Sequence, residues 1–272
     1  MKIRVIAAVA LLPLLLVVVL LLPEICTAVL FGVMAAIGAY ELMVGTGYVT
    51  PGALVVQACA AAVAVSILSY FGMSYEWTLL LVFLYVAGLF IQMLISHAQL
   101  SFEKVAVSVI AGLLVPYLLT ALVRLHNMED GRFYILIPFV VAFMSDTGAY
   151  FVGLAIGKHK LAPVISPKKT VEGLFGGVAG AMLGMVLFCF VLERCFSFEV
   201  NYIYALCYGF AGSFAAVLGD LGFSVIKRQT GIKDYGNLIP GHGGILDRFD
   251  SMTIVAPLVE MLMIVMPVVV RK

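Results

Sequence analysis

Charge is scarce in this chain. Of its 272 residues, 16 are Lys or Arg and 15 are Asp or Glu, leaving a formal net charge of +1. So small a balance excludes a globally basic nucleic-acid binder. Polar stretches are equally scarce: the longest run to only about twenty residues, which leaves no room for a large soluble domain. There is one tryptophan, Trp77. The five cysteines (Cys26, Cys59, Cys189, Cys195, Cys207) are scattered, with no CxxC and no Cys/His metal spacing, and read as small apolar helix residues. A GxxxxGK[ST] phosphate loop is missing, as are internal repeats and low-complexity linkers.

What the chain has in abundance is hydrophobic residues, 64% of the total. Long apolar runs of about twenty residues are the length of a membrane-spanning helix. Nine segments fit, near 5–22, 25–44, 53–71, 77–96, 105–124, 133–153, 172–193, 202–226 and 250–270. The first follows Lys2 and Arg4 like a secretory leader, but it is long for one and no small-x-small cleavage site follows, so it reads as a retained helix. The expected fold is therefore an all-α polytopic membrane protein of about nine transmembrane helices. It forms one membrane-embedded unit over 1–272, with N-terminal scaffold helices over 1–130 and a catalytic half over 131–272.

Two polar connections interrupt this pattern, 154–171 and 227–249. Two helices separate them, so they are expected on one membrane face. With the N-terminus in the cytoplasm, eleven Lys and Arg side chains fall inside and five outside, which favours that orientation and makes both connections cytoplasmic. Arg271 and Lys272 oppose it.

Polar groups also lie within apolar segments. Asp146 sits in the sixth and Asp220 in the eighth. A carboxylate at a helix centre costs about 2.5–3.5 kcal/mol on insertion scales, so each should face a polar cavity and mark function. Glu41, near the end of its segment, is expected to escape to interfacial water in a structural role.

The second connection packs Lys227, Arg228, Lys233, Asp234, His242, Asp247, Arg248 and Asp250 into one stretch. Asp247 and Asp250, three apart beside an apolar run, would share a helix face if that helix starts by Asp247. Crowded carboxylates favour a divalent cation, and all-oxygen ligands favour Mg²⁺ over zinc. Alternatively, Asp247 and Arg248 cap and solubilise a helix start. Pro240-Gly241-His242-Gly243-Gly244 cannot be helical; it lets backbone approach a ligand, ahead of a helix N-terminus where anions bind well. A plain tight turn is the simpler alternative, and His242 fits a phosphate donor, a general acid or a packed loop residue.

The first connection is held extended by Pro163 and Pro167. Its four lysines, Ser166 and Thr170 suit phosphate groups, although the same lysines would also serve topology or attract anionic headgroups. Thr170 is a candidate cap for the next helix, with Gly173, Gly176 and Gly177 allowing close packing. Two basic loops on one face with aspartates beneath them suggest a nucleoside triphosphate meeting a lipid phosphate, with Mg²⁺ and lysines neutralising charge.

The run from Ser224 through Lys227-Arg228, Lys233-Asp234, Gly236 and Ile239-Pro240-Gly241-His242-Gly243-Gly244-Ile245 to Asp247-Arg248-Phe249-Asp250 resembles the signature of the phosphatidate cytidylyltransferase (CDP-diacylglycerol synthase) family. The blocks Asp146-Thr147, Ala149-Tyr150 and Ser166-Pro167-Lys168-Lys169-Thr170, followed by Glu172-Gly173, resemble that family's second conserved region. Together they cover the C-terminal half; the N-terminal half is similar only in hydropathy.

The resemblance implies CTP and phosphatidic acid as substrates, and CDP-diacylglycerol and pyrophosphate as products. It implies Mg²⁺, with K⁺ alongside, and a homodimer in the cell inner membrane, with no nucleic-acid partner. By that similarity Asp220, Asp247, Asp250 and Asp146 are expected at the metal. Lys227 and His242 join the catalytic set. Ser166, Lys168, Lys169, Thr170, Arg228, Lys233, Gly243, Gly244 and Arg248 are expected to bind substrate. Rival readings are a CTP-dependent polyprenol or phytol-type lipid kinase, which would release CDP, and a transporter with intramembrane carboxylates. The transporter leaves both loop motifs unexplained.

Overall fold

The computed structural model describes residues 13–96, 100–239, 241 and 243–271. Seven helices among them are long and apolar enough to cross a membrane: α1 (Glu24–Gly45), α2 (Ala53–Tyr70), α3 (Tyr75–Ser96), α4 (Phe102–His126), α5 (Gly131–Ile156), α6 (Val171–Cys195) and α7 (Tyr202–Gln229). The protein is an all-α polytopic membrane protein. The first expected span is described only in part, as helix over 13–21. Lys2 and Arg4 lie outside the described residues.

The last expected span, 250–270, takes a different form. Its helix, α8 (Met252–Val265), has 14 residues, a rise of about 21 Å against a hydrocarbon thickness of about 30 Å. Pro267 forbids continuation, and the β-branched run after it forms β4 (Val269–Arg271), paired antiparallel with β3 (Phe198–Val200). Apolar composition alone does not distinguish a helix from a helix followed by a strand.

The chain divides into two compact units. The first comprises residues 1–129 together with Gln229–Phe249, and the second Asp130–Arg228 together with Asp250–Lys272. The segment 229–249 groups with the N-terminal helices.

In the first unit α1 packs on α2, where Ser66 Oγ donates to the Ala28 carbonyl at 2.8 Å. Polar side chains inside the unit find partners, as an apolar surround demands. The Tyr85 hydroxyl meets Ser108 at 2.7 Å, Gln57 donates to the Tyr85 carbonyl at 2.9 Å, and Gln92 donates to Gln57. His126 Nδ1 lies 2.9 Å from the Thr27 hydroxyl.

In the second unit α5 and α6 run in close contact. A Cβ on Gly148 would collide with the Gly176 carbonyl, and one on Gly180 would lie 2.5 Å from the Met144 carbonyl. The expected small-residue packing at the start of α6 is thus present: one on Gly177 would lie 3.0 Å from the Ser145 carbonyl. Ser145 and Ser213 join α5 to α7 through a 2.8 Å hydroxyl pair. This packing fixes the ends of α5, α6 and α7, from which the polar groups emerge.

Candidate functional site

Between α5 and α6 the chain forms a β-hairpin, β1 (Lys160–Ala162) against β2 (Ser166–Thr170), with Lys160 opposite Thr170 and Ala162 opposite Ser166. Glu172, in the first turn of α6, closes it. Its carboxylate accepts from the Lys158 N–H at 3.1 Å and the His159 N–H at 3.2 Å, and lies 2.6 Å from His159 Nδ1. Thr170 caps α6 as expected, its hydroxyl accepting from the Gly173 N–H at 3.1 Å.

Strand alternation then separates the two signature lysines. Lys168 is exposed, whereas Lys169 turns onto α7, its Nζ 2.5 Å from Asp220 Oδ2. Ser166 is half-buried. The other Asp220 oxygen accepts from the Ser224 hydroxyl at 3.2 Å. Asp146 of α5 is exposed and lies within electrostatic reach of both Lys169 and Asp220. One ammonium and two carboxylates, drawn from three separate elements, therefore converge.

The last turns of α7 add to this cluster. Lys227 is buried, and Arg228 Nε donates to the Ile165 carbonyl at 3.2 Å, tying the end of α7 to the hairpin. The start of the second polar connection thus lies on the same side as the first, as expected. A Cβ on Gly219 would lie 2.6 Å from the Asp250 carbonyl, so glycine lets residue 250 lie against the turn that carries Asp220. Asp250 Oδ1 accepts from the Ser251 N–H at 2.7 Å.

The glycine-rich loop belongs to the first unit. Pro240 and His242 lie outside the described residues. Gly241 and Gly243 have φ of 76° and 87°, values that glycine tolerates readily. The Ile239 N–H donates to the Gly243 carbonyl at 2.9 Å. Asp247 is buried, and its Oδ2 accepts from the Tyr235 N–H at 2.8 Å and the Gly244 N–H at 3.0 Å. Lys233 and Arg248 are exposed.

Three expectations change here. Asp247 and Asp250 do not share a helix face, because the helix containing Asp247 is a single turn, Leu246–Phe249, and α8 restarts at Met252. The amides ahead of that turn do not await an external anion: Ile245 and Leu246 donate to Glu41 at 3.0 and 2.8 Å. Glu41 is correspondingly buried, 4% exposed, instead of reaching water. Position near a helix end suggested solvent, but an equally good set of donors came from a segment 204 residues away.

Among the described residues, no three His, Cys, Asp or Glu side chains are grouped to hold one metal ion. The accessible acidic pair is Asp146 and Asp220, which feel each other's charge and that of Lys169. Its hard oxygen donors suit Mg²⁺, which uses one or two carboxylates and completes its shell with water and phosphate. Sequence reasoning missed Glu172 and Ser224 as partners. An acidic residue just after a capping threonine was the available signal for the first; for the second it was the i, i+4 spacing from Asp220 at the head of the signature run.

Residues 2–266 match the model of the cytidylyltransferase family. A phosphatidate cytidylyltransferase from Staphylococcus haemolyticus is 46% identical over 138 residues, covering 51% of this chain and 52% of the relative. One from Bacillus subtilis is 40% identical over 164 residues, 60% of each chain, and one from Staphylococcus aureus is 42% identical over 139 residues. The chain spans about half the length of the curated relatives it matches, up to 60% in the Bacillus case.

Proposed function

The chain belongs to the cytidylyltransferase family, and on that premise we propose that it makes CDP-diacylglycerol from CTP and phosphatidic acid. A phosphate oxygen of phosphatidic acid forms a bond to the α-phosphorus of CTP. The bond from that phosphorus to the bridging oxygen of the β-phosphate breaks, and pyrophosphate leaves with the electron pair. The attacking oxygen is already anionic, so the chemistry needs little base catalysis. Its main obstacle is bringing two polyanions together, which cations and fixed orientation overcome.

The observation that carries this reading is Lys169 held at 2.5 Å on Asp220, with Asp146 in reach, where the lysine hairpin meets α7. At 24% and 30% exposure the pair is open enough to exchange partners. Asp220 and Asp146 are the residues proposed to hold Mg²⁺, which when bound would neutralise phosphate charge and polarise the α-phosphorus; K⁺ alongside it is part of the same proposal. Lys169 then turns from Asp220 to a phosphate. Lys168, Arg228, Lys233 and Arg248 supply further cationic contacts, with Ser166 donating through its hydroxyl. Lys227, buried at the end of α7, sets the local potential. Asp247 holds two backbone amides and Asp250 one, and both are proposed to order their own segments. His242 and Gly243 are proposed at the phosphates, and Thr170 keeps the hairpin on α6.

The placement suits the substrates, one dissolved in the bilayer and one in water. The protein is proposed to act as a homodimer, with the hairpin and the end of α7 in the cytoplasm of a bacterial cell. The excess of Lys and Arg on that face supports the orientation. Purified protein in detergent, given phosphatidic acid and radiolabelled CTP, should form CDP-diacylglycerol and pyrophosphate only with Mg²⁺ present. Release of CDP would favour a lipid kinase instead. Cysteines placed at Lys160 and Thr230 should resist impermeant reagents added outside intact cells; labelling there would reverse the orientation.

A further inference from the structure

We propose that Glu41 is the positioning residue of the glycine-rich loop: a buried carboxylate of the N-terminal helices that holds segment 235–249 in the shape catalysis requires. Its functional half rests on the cytidylyltransferase reading; its structural half rests on contacts alone.

Those contacts run along one side of α1. Phe31 meets Phe249 edge-on at 6.2 Å between ring centres. A Cβ on Gly38 would touch Leu246 at 3.8 Å. Glu41 accepts from Ile245 and Leu246, and a Cβ on Gly45 would strike the Tyr235 carbonyl. Positions 31, 38, 41 and 45 are spaced by seven, three and four, the interval of a single helix face. Their partners run backwards from 249 to 235, so the loop lies antiparallel along the helix. The last turn of α1, Glu41–Gly45, is a π-helix, a form that collects at functional sites.

The carboxyl group is also enclosed. A Cβ on Gly236 would lie 2.5 Å from its Oε1, and one on Gly244 would overlap it. Two bonds to backbone amides, surrounded by glycines, commit both carboxyl oxygens of Glu41 to the loop. Glu41 thereby determines the path of the backbone at 244–246, flanked by Gly243 on one side and Asp247 and Arg248 on the other. A loss of 1 Å in such placement is enough to cost a large factor in rate.

The test uses the full-length protein in detergent and two readouts. Glu41→Gln keeps the size but turns one acceptor into a donor facing an N–H. Amide hydrogen exchange across 241–249 should accelerate by about 100-fold, while exchange in the cores of α2 and α6 stays unchanged. Turnover should fall by about 30-fold with KM for phosphatidic acid within about twofold, and Glu41→Asp should recover part of it. Gly236→Ala, which pushes on the carboxyl from the loop side, should reproduce the pattern and decides the matter if Glu41→Gln does not fold. Unchanged loop exchange in both variants overturns the proposal. Faster exchange with wild-type turnover overturns its functional half. A wild-type protein that makes no CDP-diacylglycerol refutes the cytidylyltransferase reading, and loop exchange then decides on its own whether Glu41 holds the loop.

Discussion

Two pairs of carboxylates, one pair in each unit, are held in opposite ways. In the second, Asp220 meets the mobile end of a lysine and Asp146 feels the same charge, both at accessible positions. In the first, Glu41 and Asp247 are buried and receive four backbone amides between them. A side-chain ion pair at a part-exposed position is weak and exchangeable. A buried carboxylate on amides is fixed, because removing it strands donors that nothing else satisfies. The contrast separates groups suited to meet a charged substrate from groups that shape the backbone.

Mutations can break this comparison. The largest effect is expected from Asp220→Asn, which should lower kcat/KM by about 1,000-fold with little change in thermal stability; near-normal rates would remove Asp220 from the centre of the proposal. Next, Asp247→Ala should cut turnover by about 100-fold and also loosen residues 235–244, since two buried amides lose their acceptor. An activity loss without faster exchange there would place Asp247 among the exchangeable groups instead. Glu172→Gln should raise KM for CTP by about tenfold by releasing the hairpin, and a change confined to kcat would contradict that. Lys169→Ala and Lys168→Ala sharpen the strand alternation: about tenfold for the inward lysine and about threefold for the outward one, with equal effects refuting the distinction. Thr170→Ala is the mildest, costing about 1 kcal/mol of stability, measurable as a small fall in melting temperature.

Much of the fold was legible because apolar runs of spanning length have one economical solution in a bilayer. The cap at Thr170 and the close seam at Gly176 and Gly177 were legible for similarly local reasons. The last span was not, because Pro267 and the valines after it convert an apolar run into helix and strand without altering its hydropathy. At the site, Lys169, Asp220 and Asp146 emerged as candidates because charge in apolar surroundings is costly. Their pairing did not, since it depends on which way β2 points. Glu41 shows the limit most clearly. Its cost was visible, but whether water or distant amides would meet it depends on a contact that no local pattern encodes.

The return of Gln229–Phe249 to the N-terminal helices has a consequence for biosynthesis. The ribosome delivers α1 long before it delivers Ile245 and Leu246, which follow Glu41 by 204 and 205 residues. At about 5–20 residues per second, that interval lasts roughly 10–40 s. Throughout it the nascent first unit carries an acidic side chain without its final donors. Membrane insertion of the early helices therefore cannot complete their folding, and the N-terminal unit reaches its finished form only after Phe249 has been made.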